Sequence, residues 1–286
     1  MAAEGTAGGH PKGAIKTVRN DRWWFEPLWT GVGFLLFTIF VNWEIFQGNY
    51  YFVGGEGFGG YLSPFYSPLL FVDPAVAGHA PVHHALLGAR PEWWPNWFPS
   101  VSAAFVLPFP LAARLTCYYY RKFYYRAYLF TPPACAVSPV KQPGRYEGER
   151  MVFLFQNIHR YTIYAAIGVI ACLLWDAYQS FFRDGVLGIG VGSIILTLNP
   201  ILLGAWTFGC HALRHLVGGR ADCFSCDRFD HARGTTASHG WWRRVTRLNE
   251  HHMFWAWVSM VWVAGTGIYV RLVAMGIVTD INTWGN

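Results

Sequence analysis

The chain has 286 residues, 53% of them hydrophobic and 13% charged, with a formal net charge of +6. Ordinary soluble domains carry about a quarter charged residues, so this composition excludes a soluble globular enzyme and points to a membrane protein. The positive excess lies in loops beside apolar segments, the pattern of membrane topology rather than of nucleic-acid binding, and six cysteines without a regular framework do not read as secreted disulfides.

In chain order, residues 1–26 read as a basic cytoplasmic tail with no cleavable secretory signal, ending in the interfacial aromatics Trp23-Trp24-Phe25. Pro27 suits the first helical position, and 28–47 is apolar and long enough for a bilayer core of about 30 Å. Residues 48–99 form a Gly-, Pro- and aromatic-rich loop with Arg90 as its only Lys or Arg and with His79, His83 and His84. A second span is expected over 100–120, kinked by Pro108 and Pro110. A basic loop leads to a third span over 151–178, which carries His159 and Arg160 near its start. A fourth span covers 186–217, with Asn199-Pro200 breaking or kinking it midway. A second basic loop, 218–248, precedes a fifth span over 250–275. The expectation is an all-α membrane protein: a five-helix transmembrane bundle forming one domain over 27–286. Lys and Arg concentrate in the tail and the two basic loops, so the N-terminus is expected in the cytoplasm and the C-terminus outside.

That topology gathers soft and borderline metal donors at the cytoplasmic side. Cys210, His211, His215, Cys223 and Cys226 follow one another at the end of the fourth span, and His251 and His252 open the fifth. His211 and His215 are spaced i, i+4 and share a helix face, and Cys223-x-x-Cys226 is a knuckle able to hold iron or zinc. One reading is a Rieske-type [2Fe–2S] cluster, with His211 and His215, or one of them with His252, on one iron and two of Cys210, Cys223 and Cys226 on the other. Haem b is a second reading, with His159 as a ligand, and structural zinc a third. Cys117, Cys135 and Cys172 stand alone and read as plain small residues. Arg160 and Arg214 near the inner helix ends, with Trp23, Trp24 and Tyr119, are candidates for holding a quinone headgroup.

The strings Cys210-His-Ala-Leu-Arg-His215, Asp222-Cys-Phe-Ser-Cys226 and Leu248-Asn-Glu-His-His252-Met, within the five-span pattern, resemble the membrane anchor subunit of the actinobacterial type of succinate dehydrogenase. The resemblance spans roughly residues 20–280. It implies a multi-pass anchor in the bacterial plasma membrane that binds a flavoprotein subunit and an iron–sulfur subunit and passes electrons from succinate to menaquinone or a similar quinone. It also implies an embedded Rieske-type [2Fe–2S] cluster in place of haem, without saying which residues are ligands. Two other readings stand beside it: a di-haem cytochrome b anchor of the wider succinate dehydrogenase and fumarate reductase class, and a zinc-binding membrane transporter.

Overall fold

The apolar runs become helices, the structure that satisfies its own backbone hydrogen bonds in an apolar surrounding. The computed structural model describes residues 15, 17–55, 59–95, 101–140, 158–218 and 237–284. Helix α1 is Phe25–Gln47 and ends on Gly48, whose φ of 67° is a left-handed cap. Pro27 therefore falls inside its first turn rather than at its start. Within α1 the Thr30 hydroxyl donates to the Glu26 carbonyl at 2.7 Å and Asn42 Nδ2 to that of Thr38 at 2.8 Å. Leu28, Leu35, Leu36, Ile39 and Phe46 stay exposed, an apolar face suited to lipid.

The second segment is not one continuous helix. It is α2 (Ala103–Val106), α3 (Pro108–Thr116) and α4 (Tyr118–Ala127). Pro108 and Pro110 lie in the first turn of α3, where a missing N–H costs little; Leu107 between α2 and α3 keeps helical angles, φ −62° and ψ −28°, so the helical run 103–116 is interrupted at the prolines but not ended by them. The break comes at Cys117, extended with ψ 134°, before the polar, tyrosine-rich α4. Helix α5 (His159–Gln179) follows; residues 151–157 lie outside the described part. A hairpin of β3 (Phe182–Arg183) and β4 (Val186–Leu187) joins it to α6 (Val191–Phe208). Asn199-Pro200 does not break α6, which runs through Pro200; the expected fourth span ends instead at Gly209 and resumes as the short α7 (His211–Val217). Part of the expected second basic loop is helical, α8 (Ala237–Glu250), and carries Arg243, Arg244 and Arg247. The last helix is α9 (His252–Ala274). Among the described residues α1, α5, α6 and α9 are long and apolar enough to cross a membrane, while 103–116 is apolar but short.

Helix α6 packs between α5 and α9, α3 lies on α5, and α1 lies on α4 and α9. The described part of the expected 48–99 loop, residues 48–55 and 59–95, is a packed cap over one end of this bundle. It contains an antiparallel hairpin of β1 (Phe52–Val53) and β2 (Tyr61–Leu62), and the Tyr51 and Tyr66 rings stack at 4.2 Å. Asp280 ties the cap to the bundle. Its carboxylate accepts from Tyr61 Oη at 2.6 Å, Tyr269 Oη at 2.5 Å and the Gly192 N–H at 2.9 Å, with Arg183 at 3.6 Å. Burial and this carboxylate push the Tyr61 phenol up to about 12, so it stays a donor. Glycine is required at 192, since a Cβ there would overlap the Tyr61 ring.

Candidate metal centre

Four helices begin at the other end of the bundle, and each begins with a metal-binding residue type. Cys117 caps α4 and Cys210 caps α7, both with extended backbone, ψ 134° and 144°. His159 is the first residue of α5 and His252 the first of α9. Helix amino ends carry exposed N–H groups and partial positive charge, so four of them meeting favour an anion or thiolates between them. Cys210 Sγ already accepts from the Ala212 N–H at 3.3 Å.

The four side chains form two cysteine–histidine contacts. Cys210 Sγ lies 2.8 Å from His159 Nε2, and Cys117 Sγ lies 3.4 Å from His252 Nε2. The Thr116 hydroxyl faces His159 Nδ1 at 3.0 Å and fixes that ring. The His252 ring stacks on Trp206, 6.2 Å between centroids and 19° between planes. Its Nδ1 is buried without a hydrogen-bond partner. His211, on the exposed face of α7, completes the group with its ring 6.5 Å from that of His252 and edge-on to Tyr118 at 5.9 Å. Cys117, Cys210 and His252 are at most 6% exposed. Among the described residues no group of three or more His, Cys, Asp or Glu is arranged to hold one metal ion; the donors stand as pairs.

Of the residues expected from sequence, Cys210, His211 and His252 are brought together and His159 joins them. His215 is not: α7 starts at His211, so His215 is carried about 6 Å further along the axis and stands exposed. Cys223 and Cys226 lie outside the described residues. Cys117, read from sequence as a plain small residue, sits at the heart of the group. Its position at the inner end of the second segment, level with the histidines, was the available signal.

The quinone candidates divide among separate places. Arg160 and His215 line a groove of about 410 Å³ between α5 and α7, with Tyr161, Tyr164, Leu213 and Leu216 as walls. Trp23 and Trp24 line another, of about 310 Å³, against Pro27, Gly31 and Tyr128. Tyr119 is instead held by Trp257, whose Nε1 donates to its Oη at 2.7 Å. Arg214 is engaged by α8: its Nε donates to Thr246 Oγ1 at 3.0 Å and its guanidinium lies 4.3 Å from the Trp242 ring centre.

Residues 25–276 match the model of a family described as actinobacterial succinate dehydrogenase subunit SdhC. Among solved structures, a chain of the Mycobacterium smegmatis Sdh1 complex in the apo form is similar, at 35% sequence identity and a TM-score of 0.80, over 98% of this chain and 97% of that one. The comparison with curated proteins gives no match.

Proposed function

The chain belongs to the actinobacterial succinate dehydrogenase SdhC family, and from that premise we propose that it is the membrane anchor through which the complex delivers the electrons of succinate to a quinone. In this role it is a multi-pass subunit of the bacterial plasma membrane, with a flavoprotein and an iron–sulfur subunit as partners on the side where α4, α5, α7 and α9 begin. Succinate oxidation releases two electrons; quinone reduction takes up two electrons and two protons. The chain's own part is the passage between them.

The observation that carries the finer reading is the pairing of two cysteines with histidines at one buried point. Two thiolates and two imidazoles are the donor set of a Rieske-type [2Fe–2S] cluster, and the buried, unpartnered His252 Nδ1 is a nitrogen without a protein hydrogen bond. We assign Cys117 and Cys210 as the sulfur donors and His159 and His252 as the nitrogen donors, with His211 as the adjacent alternative. Such a group carries one electron at a time, with neutral imidazoles raising its potential over all-cysteine clusters. Thr116 orients His159, Trp206 supports His252, and burial keeps water from the sulfurs. The quinone is assigned to the Arg160 groove, where Arg160 and His215 offer donors to a carbonyl and His159 is Arg160's neighbour in sequence. An EPR spectrum of the reduced complex tests this reading. A Rieske-type signal is expected; sharp Soret and α absorption bands instead would mean haem, and neither signal would mean zinc or no centre.

The proposed topology has the Lys- and Arg-rich segments inside, the N-terminus cytoplasmic and the C-terminus external. With 103–127 crossing as a broken helix, the chain makes five passes. A single cysteine placed at Ala75, in the cap, is expected to react with an impermeant maleimide in intact cells. Reaction only after permeabilisation would reverse the orientation.

A further inference from the structure

Arg114 lies on α3, one turn before Cys117, and is 7% exposed. A guanidinium in an apolar interior is costly unless an anion balances it. None of the ion pairs among the described residues includes it. The other deeply buried arginine of the bundle, Arg271, contrasts with it, facing the Glu44 carboxylate at 3.6 Å. Among the described residues the partners of Arg114 are neutral. It donates to Tyr120 Oη, to the Ala256 carbonyl at 3.3 Å and to Ser259 Oγ at 3.2 Å, and its guanidinium lies 4.6 Å from the Trp206 ring centre. Three of these partners adjoin the cysteine–histidine group. Trp206 carries the His252 ring, Tyr120 follows Cys117 on α4, and Ala256 is one turn along α9 from His252.

We propose that Arg114 is the counter-cation of the metal centre and sets its reduction potential. This rests on the assignment of an iron–sulfur centre at Cys117, Cys210, His159 and His252. Two ferric irons, two sulfides, two thiolates and two neutral imidazoles together carry no net charge. With such a group bound, one electron from a reduced iron–sulfur centre of the partner subunit would give a net charge of −1, with no bond formed or broken. The charge of Arg114 is already in place to balance it. The reduced state is therefore stabilised relative to the oxidised one, and the centre takes an electron more readily than the same ligands would in a neutral apolar wall. Arg114 touches neither electron donor nor quinone; it is a positioning residue for charge. The competing account is a mechanical clasp joining α3 to α9 through Ala256 and Ser259.

An EPR-monitored redox titration of the purified complex separates the two. Arg114→Gln removes the charge and keeps a hydrogen-bonding side chain, whereas Arg114→Lys keeps the charge. Ser259→Ala removes one strap of the clasp and keeps Arg114. The expected result for Arg114→Gln is a reduction equilibrium constant about tenfold or more lower, a fall of about 59 mV for one electron. Arg114→Lys and Ser259→Ala are expected to titrate as wild type. An unshifted midpoint in Arg114→Gln overturns the proposal while leaving the centre's assignment intact. So does a Ser259→Ala shift as large as that of Arg114→Gln, which would mark a clasp. Should Arg114→Gln hold no centre, Arg114→Lys decides: a wild-type midpoint supports the charge role, and a tenfold shift or an empty site overturns it. A wild-type complex without a reduced-state signal overturns the centre and this proposal together.

Discussion

Replacing Cys117 by alanine is expected to abolish the reduced-state EPR signal and electron transfer to quinone, while the partner subunits still reduce a soluble dye with succinate. Cys117 Sγ is buried and faces His252 Nε2 at 3.4 Å. Losing one of two sulfur donors removes half the attachment of one iron. By comparison, losing a residue that only supports a ligand costs about 10- to 100-fold. His215→Ala is the matched control: it changes an exposed residue of the same helix that holds Cys210 and His211, and the signal is expected to survive. Arg160→Ala is expected to keep the signal and raise the apparent KM for quinone by about tenfold or more, the loss of a charged hydrogen bond of about 1.5–3 kcal/mol. A Cys117→Ala complex with intact signal and quinone activity would sink the ligand assignment. Loss of the signal in His215→Ala would move the centre toward residues 219–236.

The second large effect is expected at the opposite end of the bundle. Asp280→Ala leaves the buried Tyr61 phenol, the half-buried Tyr269 phenol, a backbone N–H and the part-exposed Arg183 guanidinium facing an apolar methyl group. Breaking a buried charged pair by removing one partner costs about 3–5 kcal/mol. A lowered unfolding temperature of the detergent-solubilised complex is the readout, and Asp280→Asn, which still accepts hydrogen bonds, is expected to lose less. Residual folded protein should keep its quinone activity, since Tyr269, the knot's residue on α9, lies well along that helix from His252, about 26 Å away at 1.5 Å per residue. An unchanged unfolding temperature would show that Asp280 does not hold the cap.

Most of the bundle was legible in the sequence because hydropathy and length decide what crosses a membrane, and four of the expected spans appear as long helices. The second segment misled because its apolar run ends at Thr116: length alone admitted 100–120, but Cys117 is extended and the tyrosines after it start a new helix. Prolines were legible as helix signals but not as to kind. Pro108 and Pro110 open α3 and Pro200 is absorbed by α6, and only the positions of the neighbouring turns distinguish these outcomes. The grouping of Cys210, His211 and His252 was legible because they are close in sequence or at the same depth. His215 stands apart from it: i, i+4 puts two residues on one face, yet a group at the helix start meets only the first. The place of Cys117 beside His252 was not legible, because its neighbours there come from other helices.

The four residues of the centre are spaced roughly 40 to 50 positions apart along the chain, and each stands at the start of a different helix. No adjacent pair of helices contains more than two of them. The site therefore does not exist in any hairpin or half of the bundle, and it comes into being only when α9, the last helix made, docks against α6 and brings His252 to Cys117. Meeting at one point closes three long loops, a conformational cost that grows only slowly with their length. On the proposed assignment the chemistry of the subunit is conditional on seating α9: a chain that fails to seat it can bring Cys210 to His159 but not His252 to Cys117.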